Sequence, residues 1–317
     1  MNMETVDRGG LWPWMTAAMF APAAQSLGSS PWPWTLALSL GAMAVFLCVE
    51  MATGGCGQWG RVMAAVQFAF LAVCAGAVLR SVGVCWAKAA DSWVIPGVVL
   101  VLAACSAERG VSAGTRSGAT LFWFIAIAFI VLAVFSVPDV EPKYLYPGKW
   151  ESRGTDVGVL LIPGLTLLLP RQKGKNPWPW ALTIIVGAGL ISVLTAGALS
   201  GDVAAGTKGA FFEMIRGVEI LGVAERFEAL VAAAMTLGWF CLLSLLLCAA
   251  GTMGKQVSKG TERLPVWLAA GVAVVVSLGI KEIPGWGFAI AAVVLWYGWP
   301  LVKALAERKR RQLKMKK

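Results

Sequence analysis

Residues 31–34 read PWPW and residues 177–180 read PWPW again, and each copy opens a long apolar run. The first run continues TLALSLGAMAVFL and the second ALTIIVGAGLISVL, with a Gly-Ala pair at the same offset, 41–42 and 187–188. The two copies start nearly half the chain apart. This spacing predicts a membrane protein built from two related halves, an arrangement shared by many transporters.

The composition is that of a chain surrounded by lipid rather than water. Hydrophobic residues make up 58% of the 317 residues and charged residues 14%, whereas soluble domains carry about 25% charged residues. The 16 Trp residues suit a chain that crosses the headgroup region, which Trp favours. The chain has no His, no Gly-rich phosphate loop and no acid pair at a useful spacing. We therefore expect an all-α integral membrane protein that is not an enzyme and holds no metal or cofactor.

Apolar runs predict ten transmembrane helices, since about 20 apolar residues cross a bilayer core. The fourth and sixth runs are short, and the last two are separated only by residues 282–283. The runs are 11–28, 32–51, 61–84, 93–108, 117–137, 156–170, 178–200, 224–251, 265–281 and 284–304. We call them spans one to ten.

The basic C-terminus sets the predicted orientation. Eight Lys and Arg residues and one Glu lie between Lys303 and Lys317, and such a cluster favours the cytoplasmic side. An even number of spans puts both termini there, and we expect no removed signal peptide. The tail, 305–317, is predicted to contact anionic lipid at about 1 kcal/mol per charge. Binding of nucleic acid is not expected, because no folded basic face accompanies the tail.

Five spans form each half, and an odd number turns the second half upside down relative to the first. The first repeat covers about 11–137, an outer loop covers 138–155, and the second repeat covers about 156–304 of a single transmembrane domain. Pro22 in span one corresponds to Pro163 in span six. Because proline interrupts a helix and frees a carbonyl, we predict that helices 1 and 6 are broken and flank a central binding site.

The repeated peptide also has a simpler interpretation. WPW occurs a third time at 12–14, so the Trp-Pro segments are interpreted as interfacial anchors that fix how a span begins. The loop 201–223 shows apolar residues at helical spacing and is predicted to form a helix that lies on the membrane or caps the bundle.

Several motifs resemble one known family of membrane proteins. Arg216 is followed by Glu225, Arg226 and Glu228 before an apolar helix in GVAERFEALVAAAMTLGWF (222–240). The other matches are Gly110 with Arg116 in ERGVSAGTR, Leu145 with Pro147 in YLYPG, and Pro22 with Trp32. In this order and spacing, the chain resembles the spore-germination amino-acid permease family of the amino acid–polyamine–organocation superfamily.

The resemblance implies a ten-helix, leucine-transporter-type 5+5 inverted repeat. It further implies a membrane subunit of a germinant receptor, which binds a small germinant such as an amino acid beside other receptor subunits in the spore inner membrane. The chain departs from the family pattern at Ser112, where an acid is usual, and at Met235, where Trp is usual. The stretch 15–21 before the span-one proline also lacks the usual glycine.

An amino-acid ligand needs N–H groups for its carboxylate and carbonyl groups for its ammonium, and both are offered where a helix is interrupted. For Gln67, Thr166 and Thr236, a hydrogen bond between helices is the alternative role. The predicted substrate-binding residues are Ala21, Pro22, Gln25, Gln67, Pro163, Gly164, Thr166 and Thr236.

Charged residues near span ends form a second candidate group: Arg116, Arg216, Glu225, Arg226 and Glu228. Ionisable groups at membrane depth are functional candidates, but we favour structural pairing for these five, with Arg116 snorkelling or pairing with Glu108 or Glu50. Two alternatives to the receptor subunit stay open. One is an active amino-acid permease, and the other is a scaffolding membrane subunit without a working pocket.

Overall fold

The computed structural model is a bundle of α-helices. It describes residues 8–53, 60–86, 93–145, 154–169, 177–207, 209–217, 224–258, 261, 263–280 and 285–306. Within these ranges no β-strand occurs. The α-helices, in chain order, are α1 (Arg8–Ser26), α2 (Trp32–Thr53), α3 (Arg61–Trp86), α4 (Val94–Glu108), α5 (Val111–Ser136), α6 (Gly154–Leu160), α7 (Trp178–Leu199), α8 (Gly201–Gly206), α9 (Ala210–Gly217), α10 (Ala224–Ser258), α11 (Arg263–Gly279) and α12 (Gly285–Ala292).

Six described helical segments are long and apolar enough to cross a membrane: Trp32–Thr53, Arg61–Trp86, Val111–Asp139, Trp178–Leu199, Ala229–Ser258 and Gly285–Ala306. Helices α4 and α11 are shorter and apolar. Within the described part of the chain, the apolar runs predicted from the sequence are mostly helical. The all-α, multi-pass membrane class predicted from the sequence is therefore confirmed.

The outside of the bundle is hydrophobic. Val62 is 80% exposed, Val275 71% and Trp123 66%, values that a water-soluble surface would not carry on so many large apolar side chains. A lipid-facing surface and the helix contacts inside are equally apolar, so burial of apolar area between helices gives little stability. Close packing and internal hydrogen bonds must hold the bundle together instead.

Helices α3 and α10 form the centre of the bundle and pack against each other. Helix α11 packs on α3, α4 packs on α10, and α1 lies against both α5 and α10. Two further close pairs are α2 with α7 and α6 with α12. Small residues allow these approaches: a Cβ at Gly76 would meet Val276 of α11 at 2.6 Å, and one at Gly238 would meet Ala21 at 2.9 Å.

Helix α1 is continuous, although it contains two prolines. Its Trp14 is buried against Gly114 and Gly118 of α5, and its indole Nε1 donates to Ser244 Oγ of α10 at 3.2 Å. The predicted break of helix 1 at Pro22 is wrong, because the change to a 3-10 turn comes later, at Leu27–Ser29. Neighbouring helices hold α1 in place across the missing hydrogen bond, as transmembrane helices commonly permit.

Span six is interrupted, as predicted. Helix α6 ends at Leu160, and a 3-10 helix, Ile162–Leu168, follows with Pro163 in its first turn. The facing span continues α12 as a π-helical stretch, Val293–Gly298. Two irregular segments therefore lie against each other, and π-helical turns often mark functional places in a helix.

Helix α9 caps the bundle rather than lying on its surface. Phe211 of α9 is fully buried, with its ring centroid 6.5 Å from Phe20 of α1 and 6.4 Å from Phe129 of α5. Met214 and Ile215 are buried as well. Of the two placements predicted for this loop helix, the capping one is correct.

Candidate functional site

A partly open cavity of about 770 Å³ lies between the helices of the bundle. Its walls come from α1, α3, the interrupted segment 154–168, α10 and α12, and α9 closes part of it. Cavities of this size hold small organic molecules in many proteins. The meeting of an interrupted span with neighbouring spans is where transporter-like folds place their ligands.

The cavity wall is mainly apolar, with a few polar groups. Its polar side chains include Gln25 and Ser26 of α1, Ser29 just beyond α1, Ser81 of α3 and Glu213 of α9. The aromatic side chains along the wall are Phe70, Trp86, Phe212, Trp239, Phe288 and Trp296. This combination suits a molecule with an apolar body and a small polar head.

Two of the eight predicted substrate-binding residues line the cavity, namely Pro22 and Gln25. The other six lie in the walls behind it and make contacts with neighbouring helices or with their own backbone. The cavity therefore lies beside the helices that were predicted to form the site. Most of the predicted side chains, however, contact other parts of the protein and not the open space.

Gln67 and Gly164 both lie against the π-helical stretch, Gln67 on α3 and Gly164 in the interrupted segment. Gln67 is fully buried and its Nε2 donates to the Leu295 carbonyl at 3.1 Å. The Tyr297 hydroxyl donates to the Leu161 carbonyl at 3.0 Å, and a Cβ at Gly164 would lie 2.5 Å from Tyr297 Cε2. Two side chains therefore donate to carbonyl groups of irregular segments here, and the Leu161 carbonyl also accepts from the Gly164 N–H at 2.9 Å.

Three of the remaining four predicted residues, Pro163, Thr166 and Thr236, are part of hydrogen bonds within their own helical turns, and the fourth, Ala21, contacts a neighbouring helix. Thr166 Oγ1 donates to the Pro163 carbonyl at 2.7 Å, and Thr236 Oγ1 donates to the Ala232 carbonyl at 2.8 Å. Ala21 is buried against Gly238. The hydroxyl groups bond within their own helical turn, so neither provides the contact between helices that was the alternative to ligand binding.

The charged candidate group is only partly described. Arg116 is exposed on α5, and Glu108 pairs with Arg263 at 3.2 Å and accepts a hydrogen bond from Trp267 Nε1 at 3.0 Å. Arg216 lies in α9 and Glu225, Arg226 and Glu228 lie in the first turns of α10. The side chains of these last four fall outside the described part of the chain.

Asp156 is a buried carboxylate that the sequence analysis did not single out. It is fully buried and accepts a hydrogen bond from Ser30 Oγ, just after α1. Ser192 Oγ of α7 donates to the Ser30 carbonyl at 2.6 Å, and Thr35 Oγ1 of α2 donates to Ser192 Oγ at 3.3 Å. The available signal was an acid at the start of an apolar run, which is a functional candidate in a membrane protein.

No protein-family model matches the chain, and no curated protein matches it.

Proposed function

We propose that this protein is a membrane subunit of a spore germinant receptor that binds a small organic solute, such as an amino acid, in the central cavity. The observation that carries the proposal is the cavity of about 770 Å³ beside the interrupted span. A size of this order and a mostly apolar wall with a few polar groups are typical of small-molecule sites. The germination role itself rests on the family resemblance of the sequence motifs.

The helix contacts support a ten-helix, leucine-transporter-type 5+5 inverted repeat. Helices that hold the same place in the two halves touch each other: α1 with α6, α2 with α7, α3 with α10, and α4 with α11. The same two-fold relation would exchange α1 with α6 and α5 with α12. The contact of α1 with α5 would then correspond to the contact of α6 with α12, and both contacts are present. Such contacts are expected when an axis in the membrane plane relates two halves.

The positive-inside rule gives the proposed orientation. Both termini are cytoplasmic, the protein lies in the cell membrane, and in a spore it lies in the inner membrane. The basic tail would contact anionic lipid; residues 307–317 lie outside the described part of the chain. In this orientation α9 is on the outer side, where it covers part of the cavity. The other receptor subunits are the proposed protein partners.

Two other functions remain as alternatives. An active permease of the same fold would use the same cavity and add a conformational change that opens it to the other side. A scaffolding subunit would need no solute, and the open cavity counts against that alternative.

Saturable binding of labelled amino acids and other small germinants to the chain in lipid nanodiscs tests the proposal. The Ala232→Phe variant provides the sharpest comparison, since Ala232 lines the cavity on α10. Its neighbour Ala233 is exposed on the same helix, so Ala233→Phe is the matched control. We expect the first variant to lose binding and the second to keep it. Equal binding by both variants, or no saturable binding to the original chain, would overturn the cavity as the site.

Uptake into proteoliposomes separates the receptor from the permease. A receptor subunit that only senses its solute binds it without accumulating it. Uptake against a concentration gradient, lost in Ala232→Phe and kept in Ala233→Phe, would establish the permease instead.

A further inference from the structure

We infer that Arg80 and Trp93, where the last turns of α3 meet the start of α4, bind the phosphate group of an anionic phospholipid. The Arg80 guanidinium carbon lies over the Trp93 ring, 5.8 Å from its centre. In the proposed orientation this end of α3 lies in the outer leaflet, away from the basic tail. The inference is independent of the solute cavity and needs only that the chain spans a membrane.

The depth of Arg80 in the bilayer follows from the length of α3. The helix has 26 residues, or about 39 Å, so it extends about 4–5 Å beyond each side of a hydrocarbon core of about 30 Å. Arg80 precedes the last residue, Trp86, by about 9 Å of helix, which places its Cα about 4–5 Å inside the core. From this depth a long side chain directs its charge to the level of the headgroups, where the phosphate groups lie.

The Trp93 ring is held against α3 by close packing. A Cβ at Gly83 would lie 3.5 Å from Trp93 Cζ3 and 3.9 Å from Pro96 Cγ. Gly83 is one turn from Arg80, so both residues face the start of α4. A guanidinium group that stacks on an aromatic ring keeps the N–H groups at its edge available for an acceptor. The ring therefore positions the cation and leaves its charge unneutralised.

Arg80 has no anionic partner in the part of the chain that the structure describes. Its Nε is buried without a hydrogen-bond partner, and the side chain forms no ion pair there. The residue as a whole is partly exposed. A cation at membrane depth is costly unless an anion or water reaches it. A phosphate group meets this need, because two of its oxygens accept parallel hydrogen bonds from one guanidinium group.

The surface beside Arg80 faces lipid. Val94, Val98, Val101 and Leu102 lie on one face of α4, and each is more than half exposed. They follow Trp93 for about 12 Å along the helix, from the headgroup level toward the centre of the bilayer. An acyl chain that lies along this face keeps its own headgroup beside Arg80, so the phosphate belongs to a lipid and not to a free anion in water.

The charge of the site favours a lipid with a net negative charge. A choline or ethanolamine headgroup carries its own cation beside the phosphate, and no described carboxylate pairs with Arg80 to receive that cation. Phosphatidylglycerol has no such cation, so the full charge of its phosphate is available to Arg80.

Native mass spectrometry of the full chain in detergent, titrated with dioleoylphosphatidylglycerol or dioleoylphosphatidylethanolamine, tests this inference. We expect Arg80→Gln to weaken binding of the first phosphatidylglycerol molecule about fivefold, and binding of phosphatidylethanolamine less than about twofold. The basic tail also attracts anionic lipid, so the matched control is Arg61→Gln. It removes the same charge from the exposed opposite end of α3 and should change phosphatidylglycerol binding less than about twofold. Unchanged binding in Arg80→Gln, or equal losses in the two variants, would overturn the inference.

Two further measurements separate the sources of the phosphate and the kind of contact. Arg80→Lys keeps the charge but loses the planar group, and should weaken phosphatidylglycerol binding about threefold; this variant carries the test if Arg80→Gln does not fold. Full binding by Arg80→Lys would overturn the paired hydrogen bonds to phosphate. Inorganic phosphate at millimolar concentration should leave the bound lipid in place. Displacement of phosphatidylglycerol by inorganic phosphate would show a site for a free anion and would overturn the lipid assignment.

Discussion

Helix α1 and the interrupted segment 154–168 hold equivalent places in the proposed halves, and each contains a proline, yet they differ in structure. Helix α1 continues through Pro22, whereas α6 ends before Pro163 and a 3-10 helix follows. The neighbours of the two places differ as well. The Trp14 ring fits against two glycines of α5, while the Leu161 carbonyl accepts from the Tyr297 hydroxyl of the facing span and from the Gly164 N–H. A proline therefore permits an interruption of a transmembrane helix but does not require one.

The contact of α1 with α5 should tolerate an added methyl group less well than the contact around Pro163 does. At Gly118 of α5, a methyl group would overlap Trp14 at Cβ, Cγ and Cδ1, close to the α1 backbone. The indole cannot turn away there without moving the helix. We expect Gly118→Ala to lower the free energy of unfolding by about 3 kcal/mol, the upper end for overpacking. Thermal unfolding in detergent micelles would measure the change.

Gly41→Ala is the matched control for that variant. Gly41 lies on α2 with open space around a Cβ. Its replacement should change stability by less than about 1 kcal/mol, in the stabilising direction that Ala favours in a helix. Similar losses in both variants would mean that Trp14 does not hold α1 in place.

The interrupted segment offers the second comparison. A methyl group at Gly164 would lie 2.5 Å from Tyr297 Cε2 and 3.1 Å from Trp296 Cβ. The Tyr297 ring is the far end of a side chain and can shift, so we expect Gly164→Ala to cost about 1–2 kcal/mol. Gly158→Ala in the same segment has open space and should cost less than about 0.5 kcal/mol. Unfolding temperatures that fail to separate these two variants would contradict the packing described here.

The hydrogen bonds that Tyr297 and Gln67 donate to carbonyl groups should contribute unequally to the free energy of unfolding. Tyr297→Phe removes one of the two donors to the buried Leu161 carbonyl, which keeps the Gly164 N–H, and should cost about 0.6–1.7 kcal/mol, the range found for hydrogen bonds between transmembrane helices. Gln67→Leu also removes a donor, from the Leu295 carbonyl, but it removes a buried Oε1 atom that has no hydrogen-bond partner among the described residues. These terms offset each other, so its cost should be about 0.5 kcal/mol or less. A larger loss of unfolding free energy in Gln67→Leu than in Tyr297→Phe would contradict this ranking of the two hydrogen bonds.

The all-α membrane class and the long apolar helices could be predicted from the sequence because bilayer thickness sets a length that apolar runs must reach. The interruption at Pro163 was predictable for a similar reason, since proline removes a backbone donor. Helix α1 shows the limit of that reasoning. Its packing against α5 brings Trp14 to Gly114 and Gly118, which are distant in sequence and meet only when the chain folds.

The candidate site shows the same limit. Gln25 and Pro22 were predicted and line the cavity, whereas Gln67 and Gly164 were predicted on the same grounds and pack against the π-helical stretch. A polar or small residue in a span serves a ligand or another helix equally well by composition. Glu213 of α9 lines the cavity although the sequence analysis did not single it out, because α9 packs into the bundle through the buried Phe211.

The last comparison concerns the proline that α1 accommodates. Pro22→Ala restores an N–H group to a helix that is already continuous, so α1 should keep its course. We expect a gain in stability of about 1 kcal/mol or less, the scale of one backbone hydrogen bond. Pro22 also lines the cavity, and the smaller side chain should leave solute binding in nanodiscs within about threefold. The unfolding temperature and the solute affinity measure both effects. A large loss of stability or of binding would show that Pro22 shapes α1, as the sequence predicted. The contrast with Pro163 would then lie in how far each proline bends its helix.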